Sequence, residues 1–190
     1  MAKKSRPIYS SQKKRKSSLG RYAVLAVALL IVGGVAYNYL WNPSATATIS
    51  YDPEDVVYDQ PFRAVHEMKP GPKIPFLPVN QPQPKIVVPT NVHDFGSVGA
   101  TAVVTHTFVI RNVGEAPLTI SRAYTTCGCT TADVSARVIP PGKVALVKLR
   151  FDAGFHDVRG QTVKRGLIIE NNDRTQWKAE VWTRASVRRS

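Results

Sequence analysis

Val103-Val104-Thr105-His106-Thr107-Phe108-Val109-Ile110-Arg111-Asn112 decides the fold class of this 190-residue chain. Its period is two: Val104, His106, Phe108 and Ile110 fall on one side, while Thr105, Thr107, Val109 and Arg111 fall on the other. That is the signature of a strand with one buried face. The same period returns in Ala145, Val147, Leu149 and Phe151, interleaved with Lys148 and Arg150. Between them, Asn112-Val113-Gly114-Glu115-Ala116-Pro117 is a turn cluster, Leu118 to Tyr124 reads as a strand, and Ala132 to Val138 as a short extended piece. Pro140-Pro141-Gly142 and Asn171-Asn172-Asp173 mark further turns, the second joining a strand at about Val163 to Glu170 with one at Gln176 to Thr183. These signals predict an all-β domain over residues 90–190, a sandwich of about seven strands of the immunoglobulin type, with Phe108, Ile110, Leu149 and Trp177 in its core.

The sequence changes character on the amino-terminal side of that domain. Residues 1–21 carry eight Lys or Arg and no acid, which predicts a disordered basic tail. Tyr22 to Leu40 is nineteen residues without a charge, long enough as a helix to cross a bilayer. With Tyr22 at one end and Tyr37, Tyr39 and Trp41 at the other, residues 22–41 are expected to be a transmembrane helix. The positive-inside bias then puts residues 1–21 in the cytoplasm and everything after Trp41 outside, as a single-pass cell-membrane protein. Ala45-Thr46-Ala47 has the small-x-small form of a signal-peptidase site, the competing reading, but the apolar run is longer than a signal h-region. Residues 42–89 hold ten of the fourteen prolines and are expected to form an extended, semi-rigid extracytoplasmic stalk. Ile74-Pro75-Phe76-Leu77-Pro78, Phe62 and Val65 are apolar for a solvated linker, so part of this segment should pack on the sandwich.

The formal charge of +13 does not describe a nucleic-acid binder, because residues 90–190 carry fourteen bases against eight acids, scattered and without a basic helix. No nucleic-acid partner is expected.

Both cysteines lie in Thr125-Thr126-Cys127-Gly128-Cys129-Thr130-Thr131, at the corner between two strands. Three readings fit. The pair forms a reducible disulfide in an oxidising space, or two thiolates hold a soft ion such as Cu(I), or both are small corner residues with a packing role. For a metal, His66 and Met68 in the stalk are the candidate further ligands. His106 alternates with core residues and reads as a strand histidine, while His93 and His156 read as surface residues. No phosphate-cradling loop, nucleophile elbow or dinucleotide fingerprint is present. Thioredoxin-type exchange uses Cys-x-x-Cys at a helix start, and the spacing here differs. An enzyme is not expected, and no cofactor beyond that Cu(I).

The ordered set of Asp94-Phe95-Gly96-Ser97-Val98, Thr107-Phe108-Val109-Ile110-Arg111-Asn112, Gly114-Glu115-Ala116-Pro117-Leu118-Thr119-Ile120, the Cys-Gly-Cys corner, Ile139-Pro140-Pro141-Gly142 and Asn171-Asn172-Asp173 resembles the bacterial DUF1573 family over roughly residues 92 to 183. The resemblance implies an immunoglobulin-like sandwich related to MSP and ASH domains, and no settled activity. The reading that follows is a membrane-anchored extracytoplasmic binding or scaffolding module with protein partners at the sandwich or stalk. The alternative is a copper-binding or thiol-redox protein using Cys127 and Cys129.

Overall fold

The computed structural model describes residues 51–189. The expected basic tail 1–21, membrane helix 22–41 and first stalk residues 42–50 lie outside the described residues, as does the small-x-small site. Among the described residues no helix is long and apolar enough to cross a membrane.

The described chain is all-β apart from one 3-10 turn at Pro53–Asp55. Its strands are β1 (Phe62–Ala64), β2 (Ile86–Val87), β3 (Val92–Val98), β4 (Val103–Asn112), β5 (Leu118–Thr125), β6 (Thr130–Val134), β7 (Val138–Ile139), β8 (Val144–Asp152), β9 (Thr162–Asn171) and β10 (Lys178–Val187). They form two five-stranded sheets, one in the order β1-β6-β8-β4-β2 and the other β3-β10-β9-β5-β7. Seven strands have five residues or more, which matches the expected number; β1, β2 and β7 are short additions. All pairings are antiparallel except β3 with β10.

The alternation read from the sequence is the alternation of burial. On β4, Phe108 and Ile110 are buried, and on β8 Val147, Leu149 and Phe151 are buried while Lys148 and Arg150 face solvent. Phe108 pairs with Val147 and Ile110 with Ala145, so the two strands put their large side chains on the same face. Leu118 and Ile120 of β5, Leu167 and Ile169 of β9 and Val181 of β10 close the core from the second sheet. Such burial is the main stabilising term of the sandwich. Further along β4, His106 is half-buried and stacks on His93 with ring centroids 3.6 Å apart. Burial first, and the neighbouring His93 second, hold His106 below the ordinary imidazole range.

One expectation needs correction. Trp177 is not core: it precedes β10, its carbonyl accepting from the Asn171 N–H at 2.8 Å, and its ring is 45% exposed at the end of the hairpin beside Lys178. As expected, part of the proline-rich segment packs on the sandwich, and residues before 90 contribute to its core. Ala64 on β1 and Ile86 on β2 are 1% and 2% exposed, and the two strands occupy opposite edges of the same sheet. The proline-rich chain between them crosses the outer face of the other sheet. Gly71 lies against Arg122 and Glu170, a cross-strand pair of β5 and β9, and the Arg174 guanidinium donates to the Leu77 carbonyl at 2.6 and 3.0 Å. An extended proline-rich chain has free carbonyls, and arginines of the sandwich supply their donors.

Candidate functional site

β5 ends at Thr125 and β6 begins at Thr130, so Cys127, Gly128 and Cys129 form the connection between the two sheets. The corner is fastened on several sides. Thr126 N–H donates to the Gly166 carbonyl at 3.0 Å, Gly166 N–H donates to Thr126 Oγ1 at 3.1 Å, and Asp152 N–H donates to the Cys129 carbonyl at 2.9 Å. Thr125 Oγ1 donates to the Cys127 carbonyl at 3.0 Å. Gly166 itself is required by close approach, since a Cβ there would meet the Val181 carbonyl at 2.7 Å and the Trp182 ring at 2.6 Å.

Cys127 and Cys129 are joined by a disulfide. Of the three readings of the pair, this is the first, and while it stands neither sulfur is a thiolate able to bind Cu(I). Reduced, the pair would offer two soft donors at one corner. The candidate further ligands, His66 and Met68, have different surroundings. His66 is carried to the corner by the arm, where it bridges to Thr125, but its Nδ1 lies 2.9 Å from the Thr125 carbonyl. Met68 is 85% exposed. Among the described residues no group of three His, Cys, Asp or Glu side chains is placed to hold an ion.

The two sulfurs have different surroundings. Cys129 is 3% exposed and belongs to the core, whereas Cys127 is half-buried and Gly128 between them is exposed. Thr130 Oγ1 lies 3.4 Å from Cys127 Sγ and 3.7 Å from Cys129 Sγ. Arg165 Nε donates to Cys129 Sγ at 3.3 Å. Among the described residues no carboxylate pairs with Arg165. The ring of Phe155, 57% exposed, covers Gly128 so closely that a Cβ there would sit 3.1 Å from it. Gly128 has no positive φ, so it is the approach of Phe155 rather than a strained turn that favours glycine at this position.

Arg165, Thr130 and Phe155 were not among the residues expected at the site. For Arg165 a signal existed. Val163, Leu167 and Ile169 are the buried apolar side chains of β9, and Arg165 shares their parity, so an arginine occupies an inward-facing position at the end of the core. His93 and His106 lie in their own aromatic stack between Phe95 and Phe108, and His156 is exposed against Phe155.

A family model for a protein of unknown function, DUF1573, matches residues 86–184, more than half of the chain. The chain belongs to the DUF1573 family. Among solved structures, this DUF1573 protein is similar to a protein of unknown function from Porphyromonas gingivalis W83, with a TM-score of 0.50 and 22% identity over 59% of this chain and 50% of that one. It therefore spans about half the length of that relative, and the likeness is one of fold. It is also similar to the ASH / PapD-like domain of human CEP192, with a TM-score of 0.44 and 10% identity, covering 66% of the DUF1573 chain and 95% of the domain. A third similar structure is the secreted serine protease VesC from Vibrio cholerae, with a TM-score of 0.41 and 13% identity over 55% of this chain and 23% of that one. No curated protein matches.

Proposed function

We propose that this DUF1573 protein is a membrane-anchored binding and scaffolding module, held by residues 22–41 with its amino terminus in the cytoplasm and its sandwich outside. The observation that carries the binding reading is the edge formed by β3. The other three sheet edges are β1, β2 and β7, strands of two or three residues, while β3 runs for seven and, among the described residues, pairs only with β10. A strand of that length with one free side presents backbone donors and acceptors that an extended segment of a partner protein can join. Gly96, at φ 65°, and the exposed Asp94 interrupt the edge, with a register shift in the pairing to β10. Bulges and charges of this kind discourage indiscriminate pairing and leave Val92, 48% exposed, at the open end.

A photoreactive residue at position 92 should give a discrete protein adduct in intact cells, and one at Lys148, on the exposed face of β8, should not. Equal adducts from both positions, or none from position 92, would remove the support for the edge. A second reading, Cu(I) binding, is favoured by the two sulfurs sharing one corner. Under reducing conditions the full chain should then bind a single Cu(I), and Cys127→Ser and Cys129→Ser should each abolish it.

A further inference from the structure

The environment of the two sulfurs is asymmetric in three ways that act together: access, charge and hydrogen bonding. Cys129 is buried against the core with the Arg165 guanidinium on its sulfur, and Cys127 is the more open of the two. We propose that the Cys127–Cys129 disulfide is a directional thiol–disulfide exchange site, in which an incoming thiolate attacks Cys127 Sγ and Cys129 Sγ departs.

Exchange needs access to the sulfur under attack and stabilisation of the one that leaves; a leaving thiol of lower pKa departs faster. A neighbouring cation lowers a thiol's pKa, while apolar burial raises it. At Cys129 both influences are present, and the sign is decided by contact. A guanidinium cannot lose its proton, and Arg165 has no carboxylate to neutralise it among the described residues. Its Nε–H already points at the sulfur on which negative charge would develop. The Thr130 hydroxyl, within reach of both sulfurs, can donate to whichever becomes a thiolate.

The thiolate of a dithiol substrate forms a bond to Cys127 Sγ; the Cys127–Cys129 bond breaks and its electron pair stays on Cys129 Sγ. The second thiol of the substrate, losing its proton to water, then attacks its own sulfur in the mixed disulfide and releases the Cys127 thiolate. The substrate is oxidised to a disulfide by two electrons, and the corner is reduced to two thiols after taking up two protons. The substrate class is a polypeptide carrying two cysteine thiols, for which exposed Phe155 provides an apolar contact beside the corner.

The site is independent of the edge at β3, so loss of partner capture at position 92 would leave it untouched. To test it, the full-length chain in detergent is treated with limiting reduced glutathione, quenched with an alkylating agent and mapped by mass. The expected product carries glutathione on Cys127 and the alkyl group on Cys129, in an excess of about ten to one. Arg165→Met should slow the reduction about tenfold and raise the pH at which Cys129 of the reduced protein alkylates, with Arg165→Lys restoring part of both. Glutathione found equally on both sulfurs, or mainly on Cys129, would overturn the proposal. So would a folded Arg165→Met protein reduced at the wild-type rate. If Arg165→Met does not fold, the position of glutathione on the wild-type protein decides alone.

Discussion

Asp173 lies in the hairpin turn marked by Asn171-Asn172-Asp173; it is 2% exposed, and Asn171 and Asn172 beside it are buried too. Its Oδ1 accepts from Thr175 Oγ1 at 2.7 Å and from the N–H groups of Thr175 and Gln176, and its Oδ2 accepts from Ile86 N–H at 3.0 Å. Burial raises the carboxyl pKa, but the Thr175 hydroxyl and these N–H donors outweigh it and hold the group below its ordinary range. A depressed pKa means stability that is present above the unfolded-state value and lost as pH falls through the folded one. Between about pH 6 and about pH 3 the denaturation midpoint should therefore drop, and Asp173→Asn should drop less, since one carboxylate fewer is protonated. Parallel curves for the two proteins would assign the acid sensitivity elsewhere. In the core, Phe108→Ala should cost roughly 3 to 5 kcal/mol on urea unfolding, the range for emptying a large buried aromatic; a loss under about 1 kcal/mol would contradict its burial. Single residues were legible where one rule governs them. Phe108 and Leu149 follow period two, whereas Trp177 has the right parity but lies just before its strand begins, and parity says nothing about where a strand starts.

At the scale of elements, the apolar residues of 51–89 indicated that part of the segment packs on the sandwich but not where. An extended chain without internal hydrogen bonds carries no local record of what it lies on. Its position here is set by distant partners, among them Arg122, whose Nη2 donates to the Glu67 carbonyl at 3.1 Å, and Arg174 at Leu77. The Cys-Gly-Cys corner was legible in the same partial way: the motif located the site, while Arg165, 36 residues on, is brought to it by the pairing of β9 with β5. A chain beginning at residue 90 would lose Ile86 and Ala64 from the core and the Ile86 N–H from Asp173. It should be less stable than one beginning at residue 51 by about 3 to 5 kcal/mol, from lost apolar burial and a lost bond to a charged group. Equal stabilities in urea would show that the arm is only laid upon the sandwich. Arg174→Ala frees the Leu77 carbonyl and removes the cation from the Phe76 ring, so limited proteolysis between Lys73 and Lys85 should become faster while the core fragment persists.

For the whole molecule, the proposed topology makes a direct prediction. Protease added to spheroplasts should digest residues after Trp41 and spare residues 1–21, the side to which the positive-inside bias assigns the eight charges of that tail; protection of the sandwich would reverse the orientation. If residues 22–41 hold the protein and a partner pulls on β3, tension enters the sandwich at its amino-terminal end, through the arm. The first contacts to meet that load would be Lys143 on Asp55 and the Val57 N–H on the Val144 carbonyl, and β1, three residues at a sheet edge, would come next. The proline-rich arm would follow, while β4, β8, β9 and β10 stay paired. Drawn out at about 3.1 Å per residue, residues 51–85 would add roughly 100 Å to the distance between membrane and sandwich. Under that topology the wrapped arm would be a reserve of slack, a tether that lengthens under load before the long strands come apart.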